Sequence, residues 1–465
     1  MNVSTNNAYK ILSTSTIIKN LGKGTYGQVN LIRYKNNKRY AVKIQKTEFE
    51  DLEDYMIIES GILSFLEGVP NFIQLKGISL TTKHIRFVME SMDYNLCVFI
   101  DNIEIDERII YTKSLYNSLL KGISVLEKHG LHHFDLKPAN ILIKIQDGKP
   151  IFKICDFGIS GISYGPYSFP VHKIVSKPYR SPELLVERKR TEFPLYACDI
   201  WCVSMIVSEF IIGKTIFDHD DDDDIIDDMV SSLENVTRES FLNLNKYGSM
   251  KGFFPIETII RKKVPNKILK YVPNQILKNL NKICTFDPLY RPTATYLLEK
   301  DDPDYVCPTL SLTVPHRSLT EFGIELIIDL YKIYRFDMAS TIMAIEIYTR
   351  TLGIEESIYK DANIPLACFL IAIKFGNTQL LTASKLSRYI KHIHPTENLC
   401  TEKSISRAER LVLSIIQFNI YNPDIRNVII YAYNNNISLE KILYIEYIEP
   451  VINWFKNAQI RRGSF

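Results

Sequence analysis

No stretch of the sequence approaches the roughly 18 consecutive apolar residues that are needed to span a bilayer. Its first twenty residues also lack the positive start and the apolar run of a signal peptide. A charge bias is missing as well, because the formal net charge is only +3 over 465 residues. These absences argue against a membrane, secreted or nucleic-acid-binding protein. We therefore expect an intracellular protein, cytoplasmic or nuclear, with no nucleic-acid partner and no membrane contact.

The cysteines lack the arrangement of a metal site. The sequence has 8 cysteines, and Cys198 and Cys202 lie one helical turn apart. Neither a second pair nor nearby histidines complete a zinc set. We expect buried, reduced thiols.

The residues that are present favour a folded protein, since 46% are hydrophobic and 23% are charged. A chain of this length usually contains more than one domain. The proline-containing segment 303–317 has no periodicity and is predicted to be a linker. The acidic run His219–Asp224 is predicted to be a solvated loop and helix start, because such a run cannot be buried.

A glycine-rich segment, LGKGTYGQVNLI, places Gly22, Gly24 and Gly27 in the spacing G-x-G-x-x-G. Dinucleotide-binding folds use the same spacing, but there the glycines open a helix. Here apolar residues that favour a strand follow the glycines. We therefore predict a hairpin whose backbone N–H groups approach phosphate oxygens.

A lysine and a glutamate follow this hairpin. Lys43 lies within the apolar strand AVKI, where a lysine is costly unless it is paired. We expect its anionic partners to be the phosphates of ATP and Glu59, which stands on a helix predicted at about 53–66.

The most informative text is HHFDLKPANILI followed by ICDFG. Asp135 is the candidate base for a substrate hydroxyl, and Lys137 can neutralise charge on a transferring phosphoryl group. Asn140 and Asp156 supply oxygen atoms of the kind that Mg²⁺ prefers. Between them, ILIKIQDGKPIFKI predicts a β-hairpin with Asp147–Gly148 at its turn.

Taken together, these segments resemble the signature set of eukaryotic protein kinases, and DLKPAN resembles the serine/threonine branch. The resemblance implies an α+β bilobal protein kinase fold over 16–302, after an extension at 1–15. It implies ATP and Mg²⁺ as cofactors and serine or threonine residues of proteins as substrates. It also implies that ATP is bound by Gly22, Gly24, Gly27, Val29, Ala41, Lys43, Glu59, Met89, Glu90, Met92 and Leu142.

Within the kinases, the sequence is most similar to the cyclin-dependent kinases. GKGTYGQV carries their Thr25–Tyr26 pair, a site of inhibitory phosphorylation in that family. KIVSKPYRSPE resembles their proline-preferring substrate loop, in which Ser176 orients Asp135 and Lys137. A preference for serine or threonine followed by proline is therefore implied.

One cluster of that family is absent. The arginines that hold an activation-loop phosphothreonine are replaced by Phe134, Ile58 and Gly161, and the phosphothreonine is replaced by Val171. Buried arginines without a phosphate would repel one another, so their joint loss is coherent. We predict that no activating phosphorylation is needed at this loop. The four residues that carry the chemistry are all present, which argues against a pseudokinase.

Beyond the linker, apolar residues recur at three- and four-residue spacing, which predicts helices near 320–334, 338–352, 364–376, 381–393, 403–419 and 424–435. IPLACFLIAIKFG is apolar nearly all round and is predicted to be a buried central helix. These segments resemble a cyclin box, an all-α helical domain, over 318–435, with a C-terminal helix or tail at 436–465. In cyclins, a lysine and a glutamate contact the kinase helix αC, and Lys374 and Glu409 stand at those positions here.

The resemblance implies a kinase that is activated in cis by an intramolecular cyclin-like domain, which would bring Glu59 to Lys43. A short flexible linker gives an effective concentration on the order of millimolar. Two alternatives remain open. The helical tail could be a docking or targeting module, or the cyclin-like half could bind another cyclin-dependent kinase.

Overall fold

The computed structural model describes residues 5–24, 27–47, 52–162, 175–186, 194–219, 221–232, 254–310, 321–334, 337–358, 361–376, 381–393 and 400–426. The chain forms two compact units. The first unit comprises Met1–Gly68, Gln74–Ser91 and Leu310–Phe465, and the second comprises Val69–Ile73 and Met92–Thr309. The N-terminal strands and the C-terminal helices thus belong to the same unit.

The first unit contains a five-stranded antiparallel sheet in the order β1-β2-β3-β5-β4. Its strands are β1 Thr16–Gly24, β2 Gly27–Arg33, β3 Arg39–Lys46, β4 Leu75–Leu80 and β5 His84–Glu90. Because strand side chains alternate between faces, Ile32, Val42 and Val88 form an apolar cluster on one face. Helix α1, Thr5–Ser13, covers this cluster with Ala8 and Ile11. The predicted N-terminal extension therefore forms a helix that packs against one face of the sheet.

A second helix of this unit, α2, spans Asp54–Phe65 and confirms the helix that was predicted at about 53–66. Asp54 in its first turn favours the helix N-terminus. Most of its later side chains, including Glu59, are buried. A helix that is buried on nearly every side requires neighbours on more than one face.

The second unit is mostly helical. Its helices are α3 Leu96–Asn102, α4 Ile105–His129, α5 Pro182–Val186, α6 Tyr196–Ile212, α7 Asp222–Ser231, α8 Ile256–Lys263, α9 Asn266–Leu269, α10 Asn274–Ile283 and α11 Ala294–Asp301. Two small sheets join β6 Tyr94–Asn95 to β8 Ile141–Gln146 and β9 Lys149–Ile154, and β7 Leu131–His132 to β10 Gly161–Ile162. Asp147 and Gly148 have φ of 49° and 71° between β8 and β9, as a tight hairpin turn requires, so the predicted hairpin is confirmed.

The segment Tyr305–Thr309, which we call the strap, lies against α4. The hydroxyls of Tyr305 and Ser124 are 2.6 Å apart. Lys128 donates through Nζ to the backbone oxygen of Cys307 at 2.7 Å and to Oγ1 of Thr309 at 2.7 Å. The first part of the predicted linker is therefore bound to the second unit.

The C-terminal helices are α12 Glu321–Tyr334, α13 Met338–Ile354, α14 Asn363–Gly376, α15 Ala383–Ile393 and α16 Glu402–Ile415. They correspond to five of the six predicted helices, and most of the sixth lies outside the described residues. Every residue of α14 from Ile364 onward is buried, which confirms the predicted central helix. Within the described ranges, no helix is both long enough and apolar enough to cross a membrane.

Candidate active site

The glycine-rich hairpin is formed by β1 and β2, with Gly24 opposite Gly27 and two residues between them. Gly27 has φ of 154°, and a Cβ there would lie 2.1 Å from the backbone oxygen of Ile44, so only glycine fits. A Cβ at Gly22 or Gly24 would meet no described atom within 4 Å. Those two positions leave the backbone accessible, as phosphate binding by N–H groups requires. Thr25 and Tyr26 lie outside the described residues.

One face of the sheet carries the predicted nucleotide-binding side chains. Val29 is the Cα partner of Lys43 in the β2–β3 pair, and Ala41 is the partner of Met89 in the β3–β5 pair. Ala41 and Lys43 are two residues apart, so all four lie on the same face. At the end of β5, Glu90 accepts a hydrogen bond at Oε1 from the backbone N–H of Gln74 at 2.8 Å.

Lys43 and Glu59 form a bidentate ion pair. Nζ of Lys43 lies 2.7 Å from Oε1 and 2.8 Å from Oε2 of Glu59. Gln45 donates through Nε2 to the same carboxylate at 2.8 Å. The side chain of Glu59 is only 2% exposed, against 12% for Lys43. Removal of either partner from a pair this buried is strongly destabilising, because the remaining charge would lose its opposite charge in a site with little access to water.

In the second unit, Asp199 of α6 holds the backbone that precedes Asp135. Its carboxylate accepts hydrogen bonds from the N–H groups of His133 at 2.7 Å and Phe134 at 2.9 Å. Burial raises the pKa of Asp199, and the nearby His133 together with these two backbone hydrogen bonds opposes the rise. Nε2 of His133 lies 2.9 Å from the oxygen of Cys155, while Nδ1 accepts from the N–H of Asp135. The two ring nitrogens of His133 thus connect the backbone at Asp135 to the backbone at Cys155.

The carboxylate of Asp135 is surrounded by three of the predicted site residues. Ser176 donates to Oδ1 at 2.9 Å, and Lys137 donates to Oδ2 at 2.7 Å. Lys137 also donates to Oγ of Ser176 at 2.9 Å. Asn140 donates through Nδ2 to Oδ2 at 3.0 Å and to the backbone oxygen of Asp135 at 2.8 Å. We call this group the Asp135 cluster.

Asn140 and Asp156 fit the ligand set of Mg²⁺. The amide nitrogen of Asn140 is engaged by Asp135, which leaves the amide oxygen as a ligand atom. Asp156 has φ of 68°, and strained backbone of this kind is found preferentially at functional sites. The described residues contain no group of three or more His, Cys, Asp or Glu side chains that could hold a metal alone. A pair of protein ligands suits Mg²⁺, which keeps several waters and binds substrate phosphates.

Two further predicted residues lie near β6. Met92 precedes this strand and is half-buried. Leu142 lies in β8 opposite Asn95 of β6 and is also half-buried.

The positions that replace the missing arginines are apolar or without a side chain. Phe134 is completely buried, and its ring stacks on His132 with centroids 5.5 Å apart. Gly161 pairs with His132 between β10 and β7. Ile58 is buried in α2 of the other unit. Val171 lies outside the described residues.

Comparison with known proteins identifies the family. A family model described as "Protein kinase domain" matches residues 15–301, which is more than half of the chain. The chain belongs to the protein kinase family. A second model, "Cyclin, N-terminal domain", matches residues 296–421 of this kinase. A kinase fold is therefore followed by a helical cyclin domain, and we call α12–α16 the cyclin-like helices.

Individual relatives match parts of the kinase. A protein of Acanthamoeba polyphaga mimivirus, named as serine/threonine-protein kinase L268, is 34% identical over 244 residues. The match covers 48% of this kinase and 41% of the relative, so the kinase spans about two fifths of that protein's length. Among solved structures, a CAK complex of Chaetomium thermophilum bound to ATP-γ-S has a TM-score of 0.49 and 21% identity, covering 65% of this kinase and 95% of that chain. The yeast RNA polymerase II CTD kinase complex CTDK-1 has a TM-score of 0.47 and 21% identity, covering 63% and 98%.

Within the first unit of the kinase, Lys374 and Glu409 lie at the start of α2. Nζ of Lys374 donates to the backbone oxygen of Leu52 at 2.6 Å and to Oε1 of Glu409 at 2.9 Å. Their side chains are 4% and 0% exposed. Burial raises the pKa of the adjacent Asp54 to about 6, although the Lys374 ammonium opposes the rise.

Sequence reasoning missed the apolar contacts of α2 with α14 and with the residues that follow α16. A Cβ at Gly61 would lie 2.6 Å from Cε2 of Phe375 and 3.2 Å from Cδ1 of Ile420. The rings of Phe65 and Tyr421 meet edge-on with centroids 4.8 Å apart. A glycine inside a helix is usually unfavourable, so its occurrence at Gly61 was the one available signal of a close approach.

Arg410 of α16 provides a polar contact outside α2. Its guanidinium donates to the backbone oxygen of Thr81, in the turn between β4 and β5. The cyclin-like helices therefore contact the sheet as well as α2.

Sequence reasoning also missed the side chains that fix the loop around Ser176. Val175 has φ of 65°, and its N–H donates to the backbone oxygen of Phe134 at 2.8 Å. The oxygen of Val175 accepts from Nε of Arg180 at 2.9 Å. Arg180 in turn pairs with Asp222 of the acidic run. No sequence pattern linked the acidic run to this loop.

Proposed function

We propose that the chain is an active protein kinase that transfers the terminal phosphate of ATP to serine or threonine hydroxyls on protein substrates. The Asp135 cluster is the observation that carries this proposal. Asp135 accepts the proton of the substrate hydroxyl as that oxygen bonds to the γ-phosphorus. The bond from the γ-phosphorus to the bridging oxygen breaks, and ADP leaves. Lys137 stabilises the negative charge on the phosphoryl group, and Ser176 holds both side chains in place.

The remaining predicted residues are proposed to bind the nucleotide. Lys43, held by Glu59, contacts the phosphates, and the hairpin backbone at Gly22, Gly24 and Gly27 covers them. Asn140 and Asp156 would hold Mg²⁺, and the ion would supply positive charge that neutralises the phosphates. The adenine base of ATP is proposed to be surrounded by Val29, Ala41, Met89, Glu90, Met92 and Leu142. The DLKPAN sequence and the name of the mimivirus relative support serine and threonine as acceptors.

We further propose activation in cis by the cyclin-like helices. Support comes from the burial of Lys374 and Glu409 against the chain's own segment before α2. Glu59, on the helix α2 that follows this segment, is paired with Lys43. A cyclin-like domain that served another kinase would need the two contact residues to be accessible. Burial within this chain therefore favours the intramolecular role over that alternative.

A preference for proline after the phosphorylated residue is supported by the backbone of Val175. In the loop that resembles the family's substrate loop, the oxygen of this residue is occupied by Arg180. A substrate backbone N–H facing an occupied carbonyl would lose its hydrogen bond to water without a replacement, at a cost of about 1–3 kcal/mol. Proline has no N–H to leave unpaired.

A phosphorylation assay on the full-length protein tests the activity. Labelled ATP, Mg²⁺ and peptides with serine followed by proline or alanine serve as substrates. Asp135→Asn should lower kcat by about 100-fold or more, because it removes the proton acceptor. The matched control is Asp147→Asn, the same chemical change at the exposed β8–β9 turn. Equal activity in the wild type and Asp135→Asn would refute the assignment.

A charge exchange tests activation in cis. Lys374→Glu combined with Glu409→Lys preserves an ion pair but removes the ammonium from the oxygen of Leu52. We expect a strong loss of kcat/KM for ATP. The control exchanges two exposed neighbours of α16, Glu402→Lys with Lys403→Glu, at the same net charge. Full activity after the first exchange would favour a docking or targeting role for the helices.

A further inference from the structure

One aspartate of the acidic run, Asp222, forms an ion pair with an arginine that lies elsewhere in the second unit. Asp222 begins α7, and Nη1 of Arg180 lies 2.8 Å from its Oδ1 and 2.7 Å from its Oδ2. The Arg180 side chain is 14% exposed and that of Asp222 is 39% exposed. Asp222, in the run that was predicted to be solvated, is therefore partly covered by its contact with Arg180.

The location of Asp222 is fixed by the start of its helix. Asp221 is the N-cap residue, and its side chain accepts from the N–H of Asp223 at 2.8 Å. Carboxylates in the first turn of a helix are stabilised by the partial positive charge of its N-terminus. Asp222 thus presents its carboxylate from a defined backbone position.

Arg180 connects this carboxylate to the substrate loop. Among the described residues, its guanidinium has two acceptors, the carboxylate of Asp222 and the backbone oxygen of Val175. An arginine side chain has several rotatable bonds and loses considerable rotamer entropy when it is fixed. A planar guanidinium that is held by a carboxylate at one edge keeps its Nε group directed at the other acceptor.

We propose that Asp222 is a positioning residue for substrate selection: through Arg180 it keeps the oxygen of Val175 occupied, and so maintains the preference for proline after the phosphorylated residue. This inference rests on the proposed kinase activity and on its proline preference. Without Asp222, Arg180 leaves the oxygen part of the time, and that oxygen can then accept the N–H of a residue other than proline. Loss of Asp222 should therefore raise kcat/KM for peptides without proline relative to kcat/KM for peptides with proline.

The test compares kcat/KM for three peptides that differ only after the serine: proline, alanine and N-methylalanine. N-methylalanine lacks the N–H but has no proline ring, so it isolates the hydrogen-bond effect. In the wild type we expect kcat/KM for the proline peptide and for the N-methylalanine peptide to exceed kcat/KM for the alanine peptide by on the order of tenfold. Asp222→Asn should reduce the ratio of kcat/KM for the proline peptide to that for the alanine peptide about three- to tenfold, mainly by raising kcat/KM for the alanine peptide.

The matched control is Asp224→Asn, which removes the same charge from the same helical turn at an exposed side chain. An equal change of the ratio in both variants, or none in Asp222→Asn, would overturn the inference. If Asp222→Asn melts at a lower temperature and cannot be assayed, Arg180→Lys replaces it. Lysine keeps the positive charge but has no Nε–H, so the ratio must fall there too.

The outcomes separate the two proposals. A wild type that phosphorylates none of the peptides contradicts the proposed function itself. A wild type that phosphorylates the alanine and proline peptides equally leaves the kinase activity standing and refutes the role of Asp222.

Discussion

Replacement of Gly61 by alanine offers the sharpest test of the contact between α2 and the cyclin-like helices. In an unconstrained helix, glycine to alanine is stabilising by about 0.5–1 kcal/mol. Here the added Cβ would lie 2.6 Å from Cε2 of Phe375, whereas carbon atoms at van der Waals contact are about 3.5–4.0 Å apart. The ring of Phe375 is 1% exposed and packs near Tyr421, so it has little space to move.

The two effects have opposite signs, and their sizes decide the result. Overpacking of a buried contact costs about 1–3 kcal/mol, which exceeds the gain in helix propensity. We expect the alanine variant to weaken docking by about 1–2 kcal/mol, or roughly five- to thirtyfold in the ratio of docked to undocked molecules. Amide hydrogen exchange in α2 reports this ratio directly, and kcat/KM for ATP should fall with it.

A second substitution supplies the control. Phe375→Leu in the Gly61→Ala background removes part of the ring and should restore slow exchange in α2. Ser64→Ala on the same helix adds no volume and should behave as the wild type. Slower exchange in Gly61→Ala, or a double variant no better than the single one, would show that Phe375 does not restrict this position.

Three other substitutions make separate demands on the structure. Lys374→Met removes the ammonium that pairs with the buried Glu409 carboxylate and should cost about 3–5 kcal/mol of stability; an unchanged melting temperature would contradict this. The pKa of Asp54 is raised from 3.8 to about 6 in the folded protein, so folding takes up a proton and stability falls as the pH rises from about 4 to about 6, by up to about 3 kcal/mol. Asp54→Asn should therefore be more stable than the wild type at pH 7 and lose this advantage near pH 4, as measured by denaturant unfolding at both pH values. Phe134→Arg would place an unpaired guanidinium at a fully buried position and should abolish folding or activity, whereas phosphatase-treated wild type should remain fully active; activity that depends on loop phosphorylation would refute this.

Local pattern was sufficient for the parts of the kinase whose geometry is set by neighbours in sequence. The turn at Asp147–Gly148, the helix that carries Glu59 and the all-round apolar α14 were each predictable, because turn chemistry and hydrophobic periodicity act over a few residues. Asp135, Lys137 and Asn140 were predicted from one short motif, and Ser176 was predicted from the resemblance of its segment to the substrate loop of cyclin-dependent kinases.

Contacts between distant segments were not predictable from the same patterns. The role of Asp222 depends on a pairing with Arg180, 42 residues earlier in the chain, and an acidic run has the same sequence whether one member is paired or none. Gly61 shows the same limit. The ring of Phe375 leaves no space for a side chain at this position, and it belongs to a helix that begins far along the chain, at Asn363. The helical form of the N-terminal extension was missed because its apolar face contains only a few residues of a short helix.

The strap affects how a shortened enzyme should be prepared. A protein that ends at residue 302, where the periodic sequence of the catalytic part stops, would lack Tyr305, Cys307 and Thr309. The hydroxyl of Ser124 and the ammonium of Lys128 would then lose their hydrogen bonds to the strap. Such a protein could unfold or aggregate for reasons unrelated to the missing cyclin-like helices. A stop codon placed just after Thr309 keeps these bonds, and loss of activity in that protein could then be attributed to the helices alone.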